Sequence, residues 1–215
     1  MKRYSPFCQT FEQLPETVPV FPLTSAVILP GGNLPLNVFE PRYLNMTQDA
    51  LKSHQLIGMI QPRDESSRPE LYSTGCAGRI YRYLETDDGR LEVVLRGVCR
   101  FKVLEELQTT RGYRLVMPDW SGFAEDFEEA MEPEKLDRTQ FHSALKTYLE
   151  SKQMQADWKT LDKLGSEELV NNLVSVLPLS VADKQILLEA DTLPQRLRAF
   201  TAVLEGDSRF SEIRH

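Results

Sequence analysis

Cysteine is scarce in this 215-residue chain, and the three present (Cys8, Cys76 and Cys99) form no CxxC pair. An odd number without metal-type spacing argues against a disulfide framework and points to buried thiols in a reducing compartment. There is no Gly-Lys dipeptide, which excludes a Walker-type phosphate loop, and no GxGxxG follows a strand-like run. HExxH and GxSxG are missing too, and His54, His142 and His215 stand far apart without ligand-spaced neighbours. Neither a metal nor a cofactor is therefore expected. No run approaches the roughly 18 apolar residues of a membrane helix. The first 16 residues hold Lys2 and Arg3 with no apolar stretch behind them, unlike a secretory signal. The expectation is a soluble, cytoplasmic protein with no membrane partner. Basic charge is also short: 25 Lys and Arg against 32 Asp and Glu give a formal charge of -7, the wrong sign for a clamp on duplex DNA.

What is present fits a folded protein. Apolar residues make up 41% and charged residues 27% of the chain, and its length suffices to bury a core without external staples. Charge is uneven, with fourteen basic and fourteen acidic residues up to position 122 and eleven against eighteen after it. All the excess negative charge lies in the second part. Together with a change of hydrophobic period at the same place, this predicts two domains, 1–122 and 123–215.

The first part reads as about seven short strands and one helix. Val18-Pro19-Val20-Phe21-Pro22-Leu23 and Leu34-Pro35-Leu36-Asn37-Val38-Phe39 flank the turn Pro30-Gly31-Gly32-Asn33, and their prolines suggest edge or bulged strands. Pro41 opens a helical pattern carrying Tyr43, Leu44, Thr47 and Leu51. Strand signals resume at 55–61, and a charged loop follows at 62–70. Runs at 78–84 and 90–96 are joined by the hairpin turn Asp87-Asp88-Gly89, and further runs lie at 98–104 and 113–117. The spacing predicts a compact barrel or sandwich.

After Gly122 the period becomes helical. The acidic stretch 125–134 reads as a linker or a helix lead-in. Phe141, Leu145, Tyr148 and Leu149 form one stripe, and Leu169, Val170, Leu173, Val174 and Leu177 form another behind a Ser166 cap. Ser180 and Asp183 make a capping-box-like start, and a last helix starts near Thr192 and Pro194 with Gly206 as its stop. A bundle of four or five helices is expected. Ser143 and Lys146 have the SxxK spacing of a serine nucleophile with its lysine, but the partner motifs SDN and KTG are missing, so a solvated helix face is the preferred reading. Arg79, Arg82, Arg90, Arg96, Arg100 and Lys102, with Tyr81 and Tyr83, could form a basic face for single-stranded RNA. Interleaved acidic residues favour a solvated barrel exterior instead.

Residues 18–23, Leu29-Pro30-Gly31-Gly32 and Leu34-Pro-Leu-Asn-Val-Phe-Glu-Pro-Arg-Tyr43 resemble the PLFPL…PGG…LPLxIFExRY opening of the Lon N-terminal domain family. Gly75, Gly78, the Asp88-Gly89-Arg90 turn and the run 96–101 resemble later landmarks. So do Glu168-Leu-Val-Asn-Asn172 and residues 177–189 in the helical half. The resemblance implies an α+β fold, a PUA-like β-barrel followed by a C-terminal α-helical bundle, and a role in recognising protein substrates. The ATPase and Ser-Lys protease modules of full-length Lon have no counterpart in the 215 residues, so the expectation is a non-enzymatic recognition module. Its partners would be protein or peptide segments, unfolded or exposing apolar side chains. The candidate contacts are Phe21, Leu34, Leu36, Phe39, Glu40, Arg42 and Tyr43, with packing in the barrel as the competing role for the apolar ones. Glu40 and Arg42 could instead fix the strand-to-helix corner. An RNA- or nucleotide-binding PUA-like module is the alternative, and nucleic acid is the less favoured partner.

Overall fold

A computed structural model of the chain describes residues 10–127 and 138–212. Cys8, His215 and most of the acidic stretch 125–134 lie outside them. Six strands form one mixed sheet: β1 (Val18–Pro22), β2 (Asn33–Val38), β3 (Leu56–Ile60), β4 (Thr74–Glu85), β5 (Leu91–Leu107) and β6 (Arg114–Asp119). Their order is β2-β5-β4-β3-β1-β6, and β6 also pairs with the C-terminal half of β5. Five strands therefore close into a barrel. The N-terminal half of β5, with the end of β4, runs on beyond it and carries β2 as an edge.

Two of the seven predicted runs, 90–96 and 98–104, are one long strand. Gly97 reads as a break in sequence but lies inside β5. A Cβ at Gly97 would stand 2.0 Å from the Leu29 carbonyl oxygen, and Gly97 exchanges backbone hydrogen bonds of 2.9 Å with Gly31 and Gly32. The Pro30-Gly31-Gly32 turn is thus zipped onto the strand, which only a residue without a side chain allows at that distance.

Strand alternation divides the apolar residues into two sets. Val20, Ile60, Ala77, Phe101 and Val116 fill the barrel, and Gly58 and Gly75 make room for Phe101, whose ring would lie 2.9 and 2.7 Å from a Cβ at those positions. Their neighbours Phe21, Met59 and Cys76 point the other way and join a larger cluster with α1 (Pro41–Leu51) and the helical half. In α1 the buried stripe is Tyr43, Met46, Thr47 and Ala50, while Leu44 and Leu51 are only partly covered.

The helical half comprises α2 (Thr139–Ser151), α3 (Trp158–Leu161), α4 (Ser166–Val176), α5 (Val181–Glu189) and α6 (Leu193–Glu212). The predicted stripes are buried, including Phe141, Tyr148 and Leu173, and so is Phe200 of α6. Ser180 caps α5, its hydroxyl accepting from the Asp183 amide at 3.1 Å. Two predicted boundaries shift. Gly165, not Ser166, is the N-cap of α4. Helix α6 also continues past Gly206, where the surroundings are open and a glycine costs only about 1 kcal/mol.

Buried polar side chains tie the helices to the barrel. Arg100 of β5 forms an ion pair of 2.8 Å with Asp126, both side chains being about 5% exposed (4% and 6%). Its Nη1 donates to the carbonyls of Leu188 and Ala190 at 3.2 and 2.8 Å, filling acceptors that the end of α5 leaves open. Arg196 of α6 donates to Leu187 and Ala190 in the same region. Asn171 donates to Pro30 O at 2.7 Å, Lys184 to Ser25 O at 2.8 Å and Gln185 to Thr74 O at 3.1 Å. The sheet extension is therefore held on a firm base.

Candidate protein-interaction face

The seven residues singled out from sequence separate by burial. Phe21, Leu34 and Tyr43 are buried, Leu36 is half-buried, and Phe39 is 60% exposed. The rings of Phe21 and Tyr43 pack with centroids 4.0 Å apart, and burial pushes the Tyr43 phenol up from its ordinary value. Glu40 is the N-cap residue of α1, but its side chain does not cap the helix amides. Its carboxylate instead pairs with Arg42 at 2.8 Å, whose guanidinium lies 4.5 Å from the Tyr43 ring centroid. The corner between β2 and α1 is thereby built from Glu40, Arg42 and Tyr43, and Phe39 is the large apolar side chain that it leaves in solvent.

Arg42 and Tyr43 also border a groove of about 600 Å³ between the 62–70 loop and the 107–114 segment. The loop is pinned at its base, with Arg63 N donating to Glu70 O at 2.7 Å and the Asp64 carboxylate accepting from the Ser66 and Glu70 amides. The main charges in the groove are paired internally. Glu106 accepts from Arg114 and, at 2.9 Å, from Arg68. The Arg114 bond, with Arg68 behind it, holds the Glu106 carboxyl below its ordinary value. Arg114 also donates to Pro69 O at 2.6 Å.

The sheet extension differs from this groove. One side of it packs on the main apolar cluster through Leu34, Val38, Ile80, Val93 and Leu95. The other side faces away, and the strand register defines its rows. Pro35, Val94 and Arg82 align in one row, and Asn37, Glu92 and Leu84 in the next. Phe39 lies beyond them, beneath the Arg90 guanidinium at 5.9 Å from its ring centroid. At the other end stand Asn33, Arg96 and Arg79, with Arg96 6.0 Å from the ring centroid of Tyr81, the extra residue of a bulge between Ile80 and Arg82. Leu84 is 59% and Tyr81 68% exposed. Sequence reasoning did not assign Leu84, because its exposure depends on β4 and β5 outrunning the barrel; the Asp87-Asp88-Gly89 hairpin was the available signal.

The remaining sequence candidates are dispersed. Ser143 and Lys146 lie on the solvent face of α2, and Arg100 is consumed in the buried ion pair with Asp126. Arg90 pairs with Asp88 at 2.9 Å. Among the described residues no group of three or more His, Cys, Asp or Glu is placed to hold a metal ion, and no helix is long and apolar enough to cross a membrane. Cys76 and Cys99 are both buried free thiols, and burial pushes both well above the ordinary thiol value.

Comparison with known proteins agrees with this architecture. A family model described as the ATP-dependent protease La (LON) substrate-binding domain matches residues 17–206. A Lon protease from Anaeromyxobacter dehalogenans is 36% identical over 101 residues, 45% of this chain and 12% of that protein. Another, from Parabacteroides distasonis, is 27% identical over 230 residues, 97% of this chain and 26% of that protein. The chain thus spans between about an eighth and a quarter of these relatives' length. A Lon N-terminal domain protein from Xanthomonas campestris superposes with a TM-score of 0.58 at 26% identity, covering 86% of this chain and 97% of that one. The N-terminal domain of the Mycobacterium avium complex Lon protease has the same fold, with a TM-score of 0.60 at 20% identity over 87% of this chain and 97% of that one. The family model, over residues 17–206, runs through barrel and helices alike: the chain belongs to the Lon substrate-binding domain family.

Proposed function

We propose that this chain is a non-enzymatic module that recognises protein segments, unfolded or exposing apolar side chains, on the side of the β2-β5-β4 extension turned away from the main core. The observation that carries this reading is the exposure of Phe39, Leu84 and Tyr81 on one supported sheet face. Solvated sheet faces of this kind ordinarily carry polar residues, and exposed apolar groups on a supported surface mark contact sites. Membership of a substrate-binding family supplies the class of partner. Glu40, Arg42 and Tyr43 build the corner that follows Phe39 in the chain, and the buried Phe21 and Leu34 and half-buried Leu36 belong to the cluster on the other side of the sheet.

The test is binding of a permanently unfolded, reduced and carboxymethylated protein, with its native disulfide-bonded form as control. A Phe39→Ser, Leu84→Ser variant is expected to bind the unfolded form about tenfold more weakly, as loss of one to two kcal/mol of apolar contact implies, with its melting temperature retained. Unchanged binding by that variant would reject this face as the contact site.

A further inference from the structure

Three arginines at the inner end of the same face have no carboxylate paired with them among the described residues. Arg79 and Arg96 are direct cross-strand partners, and Arg82 follows beside Val94. Arg79 donates only to the amide oxygen of Gln55 at 3.2 Å, Arg96 rests against Tyr81, and none of the three forms an ion pair among the described residues. Other arginines on and around β5 are matched: Arg90 with Asp88, Arg100 with Asp126, and Arg114 with Glu106. Like charges directly opposite one another destabilise a sheet, so the Arg79–Arg96 pair is a standing cost that an anionic partner would relieve.

Resting on the recognition reading above, we infer that the face selects acidic–apolar polypeptide, taking an extended segment of about six residues. One end of the segment carries Asp or Glu over Arg79, Arg82 and Arg96, and the other end carries apolar side chains over Leu84 and Phe39. The length follows from the six-residue separation of Arg96 in β5 and Arg90 just before it, at about 3.3 Å per residue. Guanidinium groups backed by an aromatic ring keep their N–H edges available for carboxylates. Polypeptide is favoured over nucleic acid because Pro35, Val94, Leu84 and Phe39 share the face. In addition Glu92 lies on the face beside Leu84, and Asp87 and Asp88 are exposed in the hairpin turn beyond it, where a phosphodiester chain would be repelled.

The test is fluorescence polarisation with two labelled twelve-residue peptides of identical apolar content, one carrying three Glu and the other three Lys at the same positions, and with a labelled twelve-residue oligouridylate. The acidic peptide is expected to bind about tenfold more tightly than the basic one at low salt, with the gap closing as salt rises. Charge reversal by Arg82→Glu with Arg96→Glu is expected to invert the preference. Arg96→Glu alone, by turning the like-charge pair into an opposite pair, is expected to raise the melting temperature by about 1–3 °C, which separates lost binding from lost folding. Equal binding of both peptides, still weakened by Phe39→Ser with Leu84→Ser, would overturn charge selection and leave the recognition reading standing. Binding of neither peptide would overturn both. Tighter binding of the oligouridylate than of the acidic peptide, abolished by charge reversal, would overturn the choice of polypeptide.

Discussion

Arg96 and Arg100 are four residues apart on the same strand and lead opposite lives. Arg100 is buried, paired with Asp126, and donates to carbonyls at the end of α5. Arg96 is half-buried, rests against the Tyr81 ring and forms no ion pair among the described residues. Strict alternation would put both on one side of the sheet. Between them the register shifts: Gly78 pairs with Gly97 but Ala77 pairs with Cys99, so Val98 is an extra residue. That bulge turns Arg100 toward the helices and leaves Arg96 facing away. One inserted residue thus separates an arginine spent on holding the molecule together from an arginine left available to a partner.

The strongest way to break the comparison is to remove the buried arginine. Arg100→Ala leaves Asp126 without its cation inside the protein and strips acceptors at the end of α5, so a loss of about 3–5 kcal/mol in denaturant unfolding is expected. Arg100→Met with Asp126→Leu is expected to recover much of it, because the buried charge goes with the partner. A loss as small as that of an exposed arginine would mean that the two halves are joined mainly by apolar packing.

A smaller effect sharpens the role of the barrel as a rigid support. A Cβ at Gly75 would stand 2.7 Å from the Phe101 ring and 2.8 Å from the Met59 carbonyl, so Gly75→Ala is expected to cost about 1–3 kcal/mol. Calorimetry would show whether Phe101→Leu added to it recovers part of the loss, the share due to the ring, while the share due to the Met59 carbonyl stays.

Acid titration probes the paired groove against the extension. The Arg114 hydrogen bond, followed by that of Arg68, depresses the folded-state Glu106 value below its ordinary 4.5. Its contribution to stability is therefore complete above about pH 4.5 and is lost as pH falls through the folded value. Glu106→Gln should flatten that acid limb, as read by denaturant midpoints between pH 3 and 6. An unchanged limb would remove the pairing from the stability of the 62–70 loop.

The smallest stability effect belongs to the exposed face. Phe39→Ser and Leu84→Ser are each expected to change unfolding free energy by no more than about 0.5 kcal/mol, whereas a loss above about 2 kcal/mol would show that these side chains hold the extension together.

Much of this plan was legible in residue order. The Asp87-Asp88-Gly89 turn marked the hairpin whose strands outrun the barrel, and Ser180 with Asp183 marked the start of α5. The glycine pattern was visible without its reason: Gly97 read as a gap between strands because the Leu29 carbonyl that needs its missing side chain comes from a turn nearly seventy residues earlier. Arg100 looked like one of six basic residues on a strand surface, since Asp126 and the α5 carbonyls lie 26 to 91 residues away in the chain. Phe21, Tyr43 and Phe39 were equivalent by composition, and only packing against α1 and the main cluster separates the two buried rings from the exposed one.

The central claim is that the outward face of the extension, and not the helix-tied side of the sheet, meets the partner. Hydrogen exchange followed by mass spectrometry, with and without the three-Glu peptide, tests it most directly. The account predicts new protection confined to residues 33–39 and 79–96, with residues 171–191 unchanged. Protection appearing in 171–191 or in the 62–70 loop, with none at 79–96, would contradict it.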